Sequence, residues 1–294
     1  MHIALIMAHP DDADIYCGGS IAAWRSMGAT VTILIATDGS KGGDFDPEEL
    51  AQLRSKEATT AAKVFDANLI QLNFPDGELS QSEEFASRLT TEILHLQPNL
   101  LVAHAPNDYH ADHRTVSDGA LIAASFRAPV LWVDPMMGND FLPNYYVDIT
   151  PFQDQKEQAI LCHTSQGPEH FVEMSRVQGH FRSAQCGQLE GFAEAFRHDP
   201  IHPFADIRSL IPPAPPLQPM VVKSPTRNAS PKPIWTFLKK ISWIKLELKS
   251  EEIEQIEFAP HPPVGHFLAE GEGKKSWGAL INIDNSFSPI EWIV

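Results

Sequence analysis

Short apolar runs alternate with amphipathic stretches through residues 1–165 of the chain. The apolar runs, which are typical of buried β-strands, are Ile3–Ala8, Val31–Ala36, Asn68–Leu72, Asn99–Ala103 and Val130–Val133. The stretches with helical spacing of apolar residues are Gly18–Ser26, Glu48–Val64, Glu83–Leu96 and Arg114–Phe126. Strands that are apolar on both faces and separated by helices form a parallel sheet with helices on both sides. The pattern therefore predicts a doubly wound, Rossmann-like α/β domain with a mainly parallel sheet.

The later part of the chain differs in composition. Helical spacing in Gln153–Cys162 and Glu169–Ala184 predicts two further helices that close the first domain. The run Leu210–Pro219 is so rich in proline that it can form neither a helix nor a central strand. The expected organisation is a domain over residues 1–205, a Pro-rich linker over 206–231, and a small C-terminal β-rich module over 232–294.

Overall composition narrows the class of protein. The 294 residues are 43% hydrophobic and 20% charged, which excludes a disordered chain or a coiled coil. The sequence has neither an apolar run long enough to cross a bilayer nor the features of a signal peptide, so a cytoplasmic location is expected. The three widely spaced cysteines predict neither a disulfide framework nor a thiolate zinc site.

Charge argues against nucleic acid as a partner. With 38 acidic and 22 basic residues the formal charge is -16, which repels a phosphate backbone. The exception is residues 223–249, which carry seven basic residues and one acidic residue, interleaved with Trp235, Phe237 and Trp243. The favoured interpretation is a solvated face of a small domain. Contact of residues 232–249 with an anionic membrane is the alternative.

A first cluster of chemically active residues directly follows the first predicted strand. It reads Ala8-His9-Pro10-Asp11-Asp12, and in a doubly wound fold this place lies where ligands bind, at the carboxyl ends of the strands. Pro10 stiffens the loop. Neighbouring carboxylates rarely converge on one ion, so we expect Asp11 and Asp12 to have different roles.

A second cluster, Asp108 to Arg114, follows the fourth predicted strand. Its two histidines, His110 and His113, are three residues apart across the start of a helix and project to the same side. Folding alone gives no reason to gather so many imidazoles and carboxylates at one edge, and the acids would repel without a cation. We therefore expect a divalent metal, with Zn²⁺ favoured and Fe²⁺, Co²⁺ or Mn²⁺ as alternatives. An activated water, an unligated carboxylate and a remaining imidazole would complete a hydrolytic site.

These motifs resemble the PIG-L/LmbE family of metal-dependent de-N-acetylases. The resemblance rests on the segments AHPDD after strand one and HADH after strand four, with Arg54, Glu57 and Phe74-Pro75-Asp76-Gly77 between them. It covers about residues 1–195 and leaves the C-terminal region uncovered. One departure is Ala13, where the family usually has an acidic residue; Asp14 follows one place later.

The resemblance implies a role for each matching residue. The implied metal ligands are His9, Asp12 and His113. Asp11 would be the general base that returns a proton to the leaving amine, and His110 would stabilise the oxyanion. Asp112 would orient a histidine, while Arg54 and Asp76 would contact sugar hydroxyls.

The expected function is removal of an acetyl or small acyl group from the amine of an N-acetylated amino sugar or its conjugate. One alternative is an amidase that acts on a larger acyl conjugate, and another is a non-catalytic domain that binds metal or sugar. The segment DYHADH is also similar to a metallo-β-lactamase motif, but that fold begins with a strand meander. Two glycines, Gly18 and Gly19, are too few for a phosphate-binding loop, and helix packing or a tight turn is the better explanation.

Overall fold

The computed structural model describes residues 1–82 and 84–217. The strands in that part are β1 (His2–Met7), β2 (Thr30–Thr37), β3 (Asn68–Phe74), β4 (Leu100–Ala103), β5 (Val130–Val133), β6 (Tyr145–Asp148) and β7 (Ala193–Arg197). The α-helices are α1 (Asp12–Ser26), α2 (Pro47–Val64), α3 (Phe85–Leu96), α4 (Ala111–Ala124), α5 (Gln153–Ile160) and α6 (Pro168–Gln185). The doubly wound α/β fold predicted from the sequence is confirmed.

The strands form one sheet in the order β3-β2-β1-β4-β5-β7-β6. The first five are parallel; in the register, Ile6 of β1 pairs with Leu34 of β2 and with Ala103 of β4. β7 pairs antiparallel with both β5 and β6. These last two strands were not predicted, because both are short and contain polar residues, and so lack the continuous apolar run that marks a buried parallel strand.

Helices cover both faces of the sheet, and β1 shows why. Its alternate residues point to opposite faces, and all of them from Ile3 to Met7 are fully buried. Ile3, Leu5 and Met7 belong to one core cluster, which includes apolar residues of α1 and α2. Ala4 and Ile6 belong to a second cluster, with apolar residues of α3 and α4. A central strand buried on both sides explains the unbroken apolar run in the sequence.

Helix α1 begins at Asp12, six residues before the predicted start at Gly18, and is kinked at Cys17 (φ -148°, ψ 24°). Such a kink frees backbone N–H groups inside the helix. The buried carboxylate of Glu194 accepts two of them, from Gly19 N at 3.0 Å and Ser20 N at 2.7 Å, and also receives Lys156 Nζ at 2.7 Å. The predicted helix is therefore the second segment of α1.

The two glycines of α1 serve close packing, as the sequence predicts. A Cβ added at Gly19 would lie 2.6 Å from Cβ of Ile149, and one at Gly18 would lie 3.1 Å from Cγ of Lys156. Both glycines thus face protein side chains. The absence of side chains at these positions lets the helix approach both Lys156 within α5 and Ile149 just before α5.

The start of the predicted Pro-rich linker packs against the domain. Ile207 and Ile211 are buried in the core cluster of α1 and α2. Nε1 of Trp24 donates a hydrogen bond to the carbonyl of Leu210 at 2.8 Å, and Asp148 N donates to that of Pro213 at 2.9 Å. The rest of the linker, the predicted module at 232–294 and the basic stretch at 223–249 lie outside the described residues.

Two expectations from composition can be compared with the structure. Cys17, Cys162 and Cys186 are free thiols, as predicted. Within residues 1–82 and 84–217, no helix combines the length and the apolar character needed to span a bilayer.

The packing of Gly19 gives a first prediction. Replacing Gly19 with alanine places a methyl group against the buried, β-branched Ile149, which cannot rotate away. This overpacking exceeds the gain in helix propensity, and we expect the free energy of unfolding in urea to fall by about 1–2 kcal/mol.

Gly43→Ala is the matched control, since its added Cβ has no neighbour closer than 3.6 Å. We expect that control to change stability by no more than about 0.5 kcal/mol. A Gly19→Ala protein as stable as the wild type would contradict the packing described for α1.

Candidate metal centre and active site

The site lies where the order of the strands reverses. β1 and β4 are neighbours in the sheet. After β1 the chain continues to β2 on one side of this pair, and after β4 it continues to β5 on the other side. Their following loops diverge and leave a crevice at the carboxyl ends of the strands, the usual ligand site of this fold. Residues 8–11 follow β1 and residues 104–110 follow β4. The two sequence clusters therefore meet at one edge of the sheet, as predicted.

Three side chains present ligand atoms that form a nearly equilateral triangle. His9 Nδ1 lies 3.2 Å from His113 Nε2, and Oδ2 of Asp12 lies 3.3 Å from the first and 3.5 Å from the second. A tetrahedral zinc ion with ligands at about 2.0–2.1 Å needs ligand atoms about 3.3–3.4 Å apart. The predicted ligand set thus fits a divalent cation in its distances and in its chemistry.

Other groups of potential ligands overlap with this triangle. Ligand atoms lie within 4.8 Å of one another in three further sets: His9, His110 and His113; Asp12, His104 and His113; and His9, Asp76 and Asp112. His104 differs from the other histidines because its Nε2 also receives the backbone N–H of Ala8 at 3.1 Å. The site can hold a metal; assignment of the ion to His9, Asp12 and His113 stays a prediction.

Each of the two imidazoles in the triangle turns its second nitrogen towards a carboxylate. Nδ1 of His113 lies 3.1 Å from Oδ2 of Asp108, and Nε2 of His9 lies 3.2 Å from Oδ1 of Asp76. Such outer carboxylates fix the tautomer and orientation of metal-binding histidines. Asp108 received no role in the sequence analysis, although it precedes His110 by only two residues.

His104 is a second residue that the sequence analysis left without a role. Its Nε2 lies 3.1 Å from Oδ2 of Asp12, and its ring stacks on that of His113 with the centroids 3.7 Å apart. It is fully buried at the end of an apolar strand. The one feature of the sequence that points to His104 as a site residue is its position directly after β4. A single histidine in such a position is more often a structural residue.

The charges around the triangle favour a cation at its centre. Burial opposes a charged His9 ring, but contacts with carboxylates, that of Asp12 first, raise the pKa of His9 well above its ordinary value. Burial opposes the charged form of Asp12 as well, but nearby imidazoles, that of His113 first, lower the pKa of Asp12 well below its usual range. Burial and the neighbouring His113 lower the pKa of His104 to about 4, so this ring is neutral at pH 7.

Asp11 lies outside the triangle and is held by Arg54. Nη2 of Arg54 donates to Oδ1 of Asp11 at 2.8 Å, while Nη1 donates to the carbonyl of Gly39 at 3.0 Å. Gly39 has a positive φ of 68°, and a Cβ there would lie 2.8 Å from Arg54 Nη1. Among the described residues, Oδ2 of Asp11 has no hydrogen-bond partner. Arg54 thus holds one carboxylate oxygen and leaves the other free to act.

His110 lies beside the triangle with one ring nitrogen available as a hydrogen-bond donor. It is the N-cap of α4, and its Nδ1 accepts the backbone N–H of Asp112 at 3.2 Å. This bond places the ring proton on Nε2. Burial, followed by the effect of the nearby imidazoles of His9 and His113, lowers the pKa of His110 and so favours the uncharged ring. Its centroid lies 4.7 Å from that of His9.

Three other carboxyl groups predicted or discussed from the sequence are engaged with protein groups. Oδ2 of Asp112 accepts Gly77 N at 2.8 Å and lies 3.7 Å from Nε2 of His9. Asp76 contacts His9, so its contact with sugar hydroxyls stays a prediction, as does that of Arg54. Asp14 makes a 2.6 Å contact with His163 Nε2, away from the triangle, while Ala13 packs in the core.

This chain belongs to the PIG-L family. The family profile described as "PIG-L: GlcNAc-PI de-N-acetylase" matches residues 4–124, which include both clusters of the site. The diacetylchitobiose deacetylase of Thermococcus kodakarensis is 30% identical over 233 residues, which cover 70% of this chain and 87% of that protein.

Solved structures show the same fold. An N,N'-diacetylchitobiose deacetylase from Pyrococcus horikoshii has a TM-score of 0.59 and 28% identity, over 71% of this chain and 88% of that one. A 4-carboxy-2-hydroxymuconate hydratase from Pseudomonas putida also has a TM-score of 0.59, with 22% identity over 67% of this chain and 96% of that one. The second likeness is one of fold alone.

The triangle predicts the metal content of variants. We expect the purified protein to bind about one equivalent of Zn²⁺, and His113→Ala to lose it, because one corner of the triangle is removed. His110→Ala is the matched control: it removes an imidazole of the same motif from outside the triangle and should keep the metal. Elemental analysis after gel filtration measures both, and equal metal content in the two variants would disprove the ligand set.

Proposed function

We propose that the protein is a metal-dependent N-deacetylase that removes an acetyl or small acyl group from the amine of an N-acetylated amino sugar or its conjugate. The observation that carries this proposal is the Asp11 carboxylate, which Arg54 holds beside the ligand triangle with one oxygen free. A site that only binds a ligand does not need such a carboxylate. The diacetylchitobiose deacetylases among its relatives support the same chemistry and substrate class.

Zn²⁺ is the cofactor that suits the donors best, since two imidazoles and one carboxylate are a common set for catalytic zinc. Fe²⁺, Co²⁺ and Mn²⁺ accept the same donors and are the alternatives. His9, Asp12 and His113 would hold the ion, which when bound acidifies water and polarises an amide carbonyl.

Asp11 would move the proton. Its free oxygen takes a proton from the attacking water, which makes the water a better nucleophile at the amide carbonyl. The same carboxyl group then donates that proton to the leaving nitrogen, and the products are acetate and a free amine. Arg54 holds the carboxylate in one orientation through both transfers, because the guanidinium is also fixed to the carbonyl of Gly39.

His110 would stabilise the negative charge that develops on the carbonyl oxygen. The hydrogen bond from Asp112 N occupies Nδ1, so the Nε2–H is available as a donor. A neutral imidazole donates this hydrogen bond without losing its own proton. Removal of one such donor costs about 10²–10³ in turnover in well-studied hydrolases.

The substrate is expected to be a small molecule, and the cytoplasm remains the location predicted from the sequence. Two alternatives give different products in one assay. An amidase would release a longer acyl group, and a non-catalytic domain would release nothing. A hydratase activity, named for one sequence relative and for one structural neighbour, each under 25% identical, would consume an unsaturated acid.

The function is tested by incubating zinc-loaded protein with N-acetylglucosamine, N,N'-diacetylchitobiose, N-octanoylglucosamine and an unsaturated dicarboxylic acid. We expect acetate from at least one N-acetylated sugar and no change in the dicarboxylic acid. Removal of the metal by a chelator should abolish acetate release, and Zn²⁺ should restore it. Zinc-loaded protein that leaves every N-acetylated sugar intact would refute the proposal.

The role of Asp11 gives a separate prediction. Asp11→Asn keeps the shape of the side chain and cannot accept a proton, so we expect turnover to fall by about 10²–10⁴ with the metal retained. Asp44→Asn is the matched control, because Asp44 is an exposed acid on the loop after β2. Activity of Asp11→Asn within a few-fold of wild type would show that another group moves the proton.

A further inference from the structure

Asp76, in the loop after β3, contacts the loop after β2 and the ring of His9 in the loop after β1. Oδ1 lies 3.2 Å from His9 Nε2, and Oδ2 accepts the backbone N–H of Lys41 at 3.0 Å. The backbone N–H of Asp76 itself donates to Oδ1 of Asp38 at 3.2 Å. The residue is only 6% exposed. Both carboxylate oxygens are therefore engaged with protein groups from the loop after β2 and the loop after β1.

The contact with His9 bears on which nitrogen of that ring carries the proton. Both ring nitrogens face carboxylates: Nδ1 lies 3.3 Å from Oδ2 of Asp12, and Nε2 lies 3.2 Å from Oδ1 of Asp76. Nδ1 and Oδ2 of Asp12 are both corners of the triangle, so with an ion bound there the single proton of a neutral ring is on Nε2, where Asp76 can accept it. A ring turned over, or protonated on Nδ1, could not complete the triangle.

We propose that Asp76 is a positioning residue for the metal site: it holds the His9 ring in the orientation and tautomer that direct Nδ1 at the ion. This inference rests on the metal site proposed above. It differs from the contact with sugar hydroxyls that the family resemblance implies for this residue. Asp112 cannot replace Asp76 fully, because its nearer oxygen is 3.7 Å from His9 Nε2 and already accepts Gly77 N.

The two roles differ in what they change. A positioning role acts on metal affinity, since outer carboxylates that orient metal-binding histidines contribute about 10–100-fold. A sugar contact acts on KM and leaves metal affinity unchanged. The chain also offers a matched control in Glu78, two residues further along: it is an exposed acid paired with Lys41 Nζ at 2.8 Å, with no contact to His9.

The experiment measures the zinc dissociation constant of the full-length protein by competition with a chromophoric chelator. We expect Asp76→Ala to weaken zinc binding about 10–100-fold and Glu78→Gln to leave it within about two-fold. Asp76→Asn should recover part of the loss, because its amide oxygen can still accept the His9 N–H. Visible spectra of the cobalt-substituted proteins should change for Asp76→Ala and not for Glu78→Gln.

Kinetics at saturating zinc provides the second arm. We expect KM for an N-acetylated sugar to stay within a few-fold of wild type in Asp76→Asn, which keeps the size of the side chain and one acceptor oxygen. Unchanged zinc affinity in Asp76→Ala, or in Asp76→Leu if the alanine variant fails to fold, together with a KM raised tenfold or more would overturn the inference and leave the proposed function intact. A wild-type protein without zinc affinity would overturn the proposed metal site itself.

Discussion

The structure depends on one electrostatic constraint: carboxylates and imidazoles from distant parts of the chain are packed together with little access to water. Asp12, Asp76 and Asp112 surround the ring of His9, and all three carboxylates are buried. Such a cluster is stable only with positive charge at its centre. Imidazolium can supply that charge, and so can a divalent cation, which leaves the imidazoles neutral and able to coordinate. The arrangement is therefore built around a cation.

The fold supplies the geometry for this cluster. Parallel strands that are buried on both faces leave only their ends for polar residues, and the reversal between β1 and β4 opens one crevice there. Longer-range support comes from helix α1, whose kink at Cys17 separates the first turn, with Asp12, from the segment that packs on the sheet. Glu194, itself paired with Lys156, accepts the backbone N–H groups freed by the kink. Core packing and site geometry are thus tied together within a single helix.

Much of the fold and of the candidate site follows from local sequence. The five parallel strands were predictable because each holds a nearly continuous apolar run, interrupted only by Thr32 in β2 and Gln71 in β3, whereas the short strands β6 and β7 alternate with polar residues and pair antiparallel at the edge of the sheet. Residues His9 to Asp12 and His110 to His113 stand out because chemically active types cluster after strands. The contributions of Asp108 and His104 could not be predicted, since they depend on how the imidazole rings are turned. The same holds for Asp76, whose neighbour in space is 67 residues away in sequence.

The separation of the proposed ligands along the chain has a consequence for how the protein matures. His9 and His113 are 104 residues apart and meet only after β4 has joined β1 in the sheet. A cation therefore cannot organise the early stages of folding, as it does in small zinc-dependent domains. During synthesis the site is incomplete until the fourth strand has paired with the first, so capture of the proposed metal would be a late event that stabilises an already assembled sheet.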